Sequence, residues 1–186
     1  MSNKRNQILL ATRDLVFEQG LQDVTMTQVA QRAQVGMGTI YNYFPSKEDL
    51  VFCLFSEMKE AMILGVLEGY NATQPVVERV LYLLNSTVQY GLRHPREFLL
   101  THQLAQVPFI QERTKNNISP LDMALNQVIT EAQQQQLLKA MSPDVIFVMV
   151  SGMINALVGA HMMQQIRLDQ ATIEQTVVAC WDAFKR

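Results

Sequence analysis

Cysteine is nearly absent from this chain. Cys53 and Cys180 lie far apart, each in an apolar, helix-like segment. No metal-ligand spacing exists, which argues against a metal centre. The two read as buried free thiols in a reducing cytosol, so the expected location is cytoplasmic. Histidine is equally sparse. His94, His102 and His161 stand in no recognisable catalytic spacing with Cys, Ser or acids. No glycine-rich phosphate-binding loop occurs. The chain is therefore not expected to be an enzyme, and no cofactor or metal is expected.

An excess of positive charge is missing too. The net charge is −2, so a chain basic throughout is excluded and any DNA footprint must be local. Through Lys47, the basic residues Lys4, Arg5, Arg13, Arg32 and Lys47 outnumber Asp14, Glu18 and Asp23 by two. The remainder carries −4, a sign that suits a DNA-facing N-terminus and a body that faces elsewhere. The N-terminal run MSNKRNQ lacks the apolar stretch of a signal peptide. One long uncharged run does exist, the 19 residues 145–163, taking His161 as neutral. It is about long enough to span a bilayer. It also holds Ser151, Asn155, His161 and several small residues, and no second such run exists. It reads as a helix buried in protein, with no membrane partner. Strand alternation, internal repeats and long linkers are missing as well.

Helical periodicity is present almost throughout. Residues 3–19 place Ile8, Leu9, Thr12, Leu15, Val16 and Gln19 on one face, with Gly20 as a stop. Residues 47–70 carry two apolar stripes, one through Leu50, Leu54, Met58 and Ala61, the other through Val51, Phe55, Met62 and Val66. A helix apolar on two sides touches two bodies and can connect them mechanically. Further helices are expected at 76–93, 96–107, 120–141 and 142–167, punctuated by His94-Pro95, Pro108 and Ser142-Pro143-Asp144. Residues 109–117 read as partly loop, and the glutamines at 133–136 as a solvated helix face. A last helix from 169 or 172 carries the apolar stripe Ile173, Val177, Cys180, Trp181 and Phe184. The fold class is all-α, with about nine helices.

The densest signal is residues 25–50, TMTQVAQRAQVGMGTIYNYFPSKEDL. Thr25 is an N-cap, and Val29, Ala30 and Ala33 form one apolar stripe. Gln34-Val35-Gly36 breaks the helix. Residues 37–44 make a second helix, Pro45 stops it, and Ser46 caps the next with Asp49 three residues on. Two short helices joined by such a turn form a helix-turn-helix, whose second helix can enter the major groove of DNA. Its outer side carries Met37, Thr39, Asn42 and Tyr43. Thr25, Val29-Ala30, Ala33, Val35, Gly38-Thr39-Ile40-Tyr41, Tyr43-Phe44, Ser46-Lys47 and Leu50 stand at the spacing of the tetracycline-repressor (TetR) family, which this segment closely resembles. Two positions depart. Gln34 stands where the family usually has Gly, and Gly36 where a capping Ser is usual.

The resemblance implies a three-helix DNA-binding domain over residues 1–46 and a larger ligand-binding and dimerisation domain over 47–186. By position, Thr25, Tyr41, Tyr43 and Lys47 are expected to hold phosphates. Thr27, Gln28, Met37, Thr39 and Asn42 are expected to read bases, and Gly38 to permit close approach. The family's last two helices pair with their mates in a homodimer. Here the small track Gly152, Ala156, Gly159 and Ala160, with Val177 and Trp181, suits that interface. Candidates for a small-molecule pocket are Phe55, Met58, Met62, Ser86, Thr87, Tyr90, Phe98, His102, Phe109, Phe147, Ser151 and Asn155. Eleven methionines suit a pocket for apolar or aromatic ligands, and no basic cluster in the set suggests a strongly anionic one. The implied function is a ligand-responsive repressor that binds a pseudo-palindromic operator as a dimer and is released by a largely apolar effector. The alternative is a DNA-bound activator or adaptor of the same fold that recruits a protein partner without a ligand.

Overall fold

The computed structural model describes residues 3–186, so the first two residues of the polar N-terminal run lie outside the described residues. The described residues form ten helices: α1 (Asn3–Gln19), α2 (Met26–Arg32), α3 (Met37–Tyr43), α4 (Lys47–Leu67), α5 (Val76–Arg93), α6 (Pro95–Leu104), α7 (Pro108–Thr114), α8 (Pro120–Gln134), α9 (Pro143–Met162) and α10 (Gln170–Phe184). The tenth beyond the expected nine is α7. The fold is all-α. The one β feature among the described residues is an isolated antiparallel bridge between Leu138 and Lys185.

The chain divides into two compact units. The first takes the described residues up to Glu60 together with Leu100–Lys115, and the second takes Ala61–Leu99 and Asn116–Arg186. The first unit thus extends beyond residue 46, and it includes a segment that returns to it from far along the chain.

In the first unit α1 packs on α2 and α3. Its core joins Ile8 and Val16 of α1, Val29 of α2, Ile40 of α3 and Leu50 and Val51 of α4, each at most 2% exposed. Burying each such side chain contributes about 1.5–3 kcal/mol before entropy is counted. Leu100, Leu104 and Ile110 belong to the same core, which is why the returning segment counts with it. Gly20 stops α1 at φ +84, as its position suggested.

The turn after α2 is a left-handed cap. Gln34 sits at φ 54 while its N–H donates to the Gln31 carbonyl at 3.2 Å and the Val35 N–H to the Ala30 carbonyl at 3.0 Å. Those two bonds satisfy carbonyls that the helix end leaves open. The same pattern ends α8, with Gln136 at φ 58, and α9, with Gln164 at φ 59. Three glutamines therefore occupy a conformation that glycine adopts more cheaply.

In the second unit α5 is central, packing on α8, α9 and α10. Two glycines make close helix contacts possible. A Cβ on Gly65 would lie 2.6 Å from the Tyr90 ring, and one on Gly91 would lie 2.7 Å from Val158 Cγ2. The use of Gly65 is steric, and the chain leaves α4 through Gly69, with φ +82. Helix α8 ends seven residues before the expected 141, because Lys139 N–H donates to the Phe184 carbonyl and Arg186 N–H to the Leu137 carbonyl. The glutamine run forms the helix terminus, and Gln134, Gln135 and Gln136 are exposed, in keeping with the solvated reading. Gln133 Nε2 donates to the carbonyls of Lys139 and Met141.

Helix α9 corrects one expectation. It is long and apolar enough to cross a membrane by length and composition. It is not wrapped in its own chain either. Only Ile146, Ile154 and Val158 are buried, while Val145, Phe147, Val148 and Met149 are exposed. Cys180 is buried and Cys53 half-buried, and both thiols are free.

Candidate nucleic-acid interface

Thr25 starts α2 with extended backbone and accepts from the Gln28 N–H at 3.3 Å. Gln28 Oε1 in return accepts from the Thr25 N–H at 2.8 Å and the Thr25 hydroxyl at 3.0 Å. A third donor, Gln19 Nε2, reaches the same oxygen at 3.3 Å. This reciprocal cap is worth about 1 kcal/mol. The carboxamide oxygen of Gln28, a residue expected to read a base, is engaged in this cap in the DNA-free chain. Thr27, one residue earlier, is exposed and carries no such commitment.

Helix α3 buries Ile40, and Phe44 anchors its C-terminal end in the core. Everything else on it is partly or fully open. Tyr41 is 49% exposed and Tyr43 39% exposed, Asn42 is exposed, and Met37 and Thr39 are half-buried. Gly36 and Gly38 are exposed, and a Cβ built on either would meet nothing within 4 Å. The fold of the chain therefore does not require glycine at Gly38. Only an apposed surface would give its missing side chain a use.

Most of the basic residues in this region are engaged by groups of the chain itself. Arg5 pairs with Glu57 and donates to Cys53 Sγ at 2.8 Å, with its guanidinium over the Phe44 ring. The Glu57 carboxylate raises the Arg5 pKa, while burial pushes the Cys53 thiol up. Arg13 pairs with Asp14, and Arg32 grips Glu18 with two bonds of 2.9 and 2.7 Å. Lys47, expected to hold a phosphate, donates in the DNA-free chain to the Leu21 carbonyl at 2.8 Å and the Gln22 carbonyl at 3.4 Å. Its ammonium staples the turn between α1 and α2, and one N–H remains for another partner. Lys4 is exposed. The face formed by Thr25, Thr27, Gly38, Tyr41, Asn42 and Tyr43 is thus made of uncharged groups.

Helix α4 follows α3 after three residues. Ser46 caps it, accepting from the Asp49 N–H at 3.0 Å and donating to Asp49 Oδ2 at 2.6 Å. Arg113 of α7 donates to Asp49 Oδ1 at 3.0 Å. The Ser46 hydroxyl, then Arg113, hold the Asp49 pKa below the usual aspartate value.

The predicted ligand residues fall into two groups. Phe55 and Met58 are core residues of the first unit, where His102 and Phe109 are half-buried. Tyr90 and Phe98 are buried in the second unit, with Met62, Ser86, Thr87 and Asn155 partly buried. Asn155 Oδ1 is buried and has no hydrogen-bond partner within the chain. The Thr87 and Ser151 hydroxyls are satisfied by the Leu83 and Val148 carbonyls. Phe147 is 45% exposed and so does not point into the core, contrary to expectation. One surface cavity of about 600 Å³ lies at Gln133, Gln136, Leu138–Met141 and Arg186, and none of the twelve predicted residues lines it.

The dimerisation candidates also separate. Gly152 and Ala156 are exposed, and Gly159 and Trp181 half-buried. Val177 is buried in its own core at 6% exposure, which removes it from the outer face. Val178, one residue on, is the exposed one at 51%. Val148 and Met149, four and three residues before Gly152, continue that open face of α9. Stepping by helical period from Gly152 would have found them.

A short exposed helix, set at a tight turn on a capped partner helix, defines a helix-turn-helix DNA-binding protein. Comparison with known proteins extends this to both units. Residues 8–53 match the model of bacterial regulatory proteins of the tetR family, and residues 75–185 match the tetracyclin repressor-like C-terminal domain. An uncharacterised HTH-type transcriptional regulator of Haemophilus influenzae is 26% identical over 183 residues, spanning 97% of this chain and 95% of its own. A fatty acid metabolism regulator protein of Bacillus subtilis is 27% identical over 61% of this chain and 55% of its own. A solved TetR-family transcription regulator from Marinobacter aquaeolei VT8 superposes with a TM-score of 0.84 at 21% identity, covering 98% of this chain and 96% of that one. The chain belongs to the TetR family of bacterial transcriptional regulators, with a DNA-binding helix-turn-helix at its N-terminal end.

Proposed function

We infer that the protein is a ligand-responsive repressor that binds a pseudo-palindromic operator as a homodimer in the cytoplasm. The observation that carries this is the open face of α3, where Gly38 has empty space around it and Tyr41, Asn42 and Tyr43 point outward. One seven-residue helix spans only a few base pairs, so specific binding needs two copies about 34–36 Å apart. The exposed apolar face of α9, through Val148, Met149, Gly152 and Ala156, with Val178 of α10, supports that pairing. Tyr41 and Tyr43 hold phosphates through neutral donors, while Thr27, Met37, Thr39 and Asn42 face bases; the Thr25 N–H and hydroxyl both donate to Gln28 Oε1, so Thr25 reaches a phosphate only if that cap bond is given up. Lys47 adds at most its remaining N–H.

The effector is small and largely apolar. The likeness to a regulator named for fatty acid metabolism supports that class. Asn155 Oδ1 offers one polar anchor. Helix α4 has its ends in two compact units. A ligand that displaces its far end changes the spacing of the two α3 helices, and operator affinity falls by linkage. Selecting bound DNA from random sequence, with and without candidate apolar ligands, tests both halves. A site that stays equally bound at saturating ligand refutes the coupling. The exposed Ile118 and Met123, at 69% and 61%, favour a second reading in which this surface recruits a protein partner.

A further inference from the structure

We propose that Arg113 is a positioning residue for DNA reading, acting through the first turn of α4. This rests on α3 being the reading helix, as inferred above. Three residues separate α3 from α4, and one of them, Phe44, is locked in the core. The direction of α3 is therefore inherited from the start of α4.

That start is held from two sides. On one side Lys47 bonds the Leu21 and Gln22 carbonyls. On the other, Arg113 donates to Asp49 Oδ1, the same carboxylate that closes the α4 cap on Ser46. The guanidinium also lies 5.1 Å from the Phe52 ring centroid and 6.0 Å from that of Phe109. A flat guanidinium between two rings and a carboxylate is fixed in direction, which a lone surface pair is not. Helix α7 is itself anchored, since Ile110 is fully buried. The pair spans 64 positions in sequence. A segment that returns from beyond the second unit's first stretch thus sets the angle of the reading helix.

The charge itself is not the point. Arg113 and Asp49 are each about a third exposed, at 36% and 37%, so their attraction is screened and modest. What they supply is geometry. Losing it should weaken sequence-specific binding and leave sequence-independent phosphate contact alone.

The test uses the full chain with R113Q, D49N and the double variant. Binding is measured to the selected operator and to unrelated duplex, over a range of salt. Each single variant is expected to weaken operator binding about fivefold. The double variant is expected to be no worse than either single one, with unrelated-duplex affinity and salt slope unchanged. Additive losses overturn the proposal, as does operator binding that does not change. A salt slope reduced by about one, with weaker binding to all DNA, also overturns it, because Arg113 then touches phosphate directly. R113K keeps the charge but loses the flat stack. It should move in the same direction as R113Q, and it covers the case where R113Q does not fold. Asn42→Ala in the same assay reports on α3 separately. If it leaves the sequence preference intact, the reading helix is misassigned, and an effect of R113Q then cannot come through α3.

Discussion

Replacing Gly38 with alanine should make the protein more stable and a worse DNA binder. Gly38 is the second residue of α3, has ordinary negative φ, and has nothing within 4 Å of the space a Cβ would fill. The new methyl therefore costs nothing in the free protein. Alanine also loses less backbone freedom than glycine in a helix, a gain of up to about 1 kcal/mol. For a chain of this size that raises Tm by about 2–4 °C. Against DNA the same methyl meets atoms at van der Waals distance, and overpacking a fitted surface costs about 1–3 kcal/mol. Operator affinity should fall by a factor of about 5–150 per α3. Thermal melting and fluorescence anisotropy on one protein preparation give both numbers. A raised Tm with unchanged operator affinity would refute the close approach at Gly38 and with it the orientation assigned to α3.

Other outcomes follow from the same geometry. Gly91→Ala should cost about 1–3 kcal/mol in chemical denaturation, because its Cβ would meet Val158 Cγ2 at 2.7 Å. Adding Val158→Ala should return part of that loss. Replacing Gln34, Gln136 or Gln164 with glycine should each stabilise the fold by up to about 1 kcal/mol, by relieving a left-handed φ. No gain at any of the three would show that these side chains earn their place in another way. Lys47→Met should lower Tm through the freed Leu21 and Gln22 carbonyls while leaving the salt slope of DNA binding nearly unchanged. A slope that drops by about 0.9 per subunit would return Lys47 to the phosphate contacts. Asp49 has a depressed folded-state pKa, so its stabilising contribution is present above the unfolded value and lost as pH falls through the folded one. R113Q should raise the Asp49 pKa seen by NMR titration and shift that loss to higher pH.

Local signals carried the N-terminal unit. Thr25, Gly20, Pro45 and Ser46 act on their own neighbours, so caps and stops there could be read from adjacent residues. The left-handed Gln34 was legible only through the resemblance, since the family usually has Gly at that position. What local sequence could not show was pairing across distance. Helix α8 stops early because backbone groups near 138 and 185 bond each other. Arg113 and Asp49 meet across 64 positions, and residues 109–117, which read as partly loop, hold most of α7 because Ile110 is buried in the core. Side-chain commitments were hidden likewise. Gln28 and Lys47 have the chemistry of DNA contacts, yet their partners are Thr25 and the Leu21–Gln22 carbonyls. On α10, Val177 and Val178 are equally apolar, and only the packed helix separates the buried one from the exposed one.

The central claim is that two copies of α3 read one DNA site at a spacing fixed by the dimer. Selection of bound duplexes from random sequence tests it most directly. The account predicts a near-palindrome whose half-sites lie about one helical turn apart, with Asn42→Ala relaxing one position in each half. A single unrepeated half-site, or no enrichment at all, would contradict it.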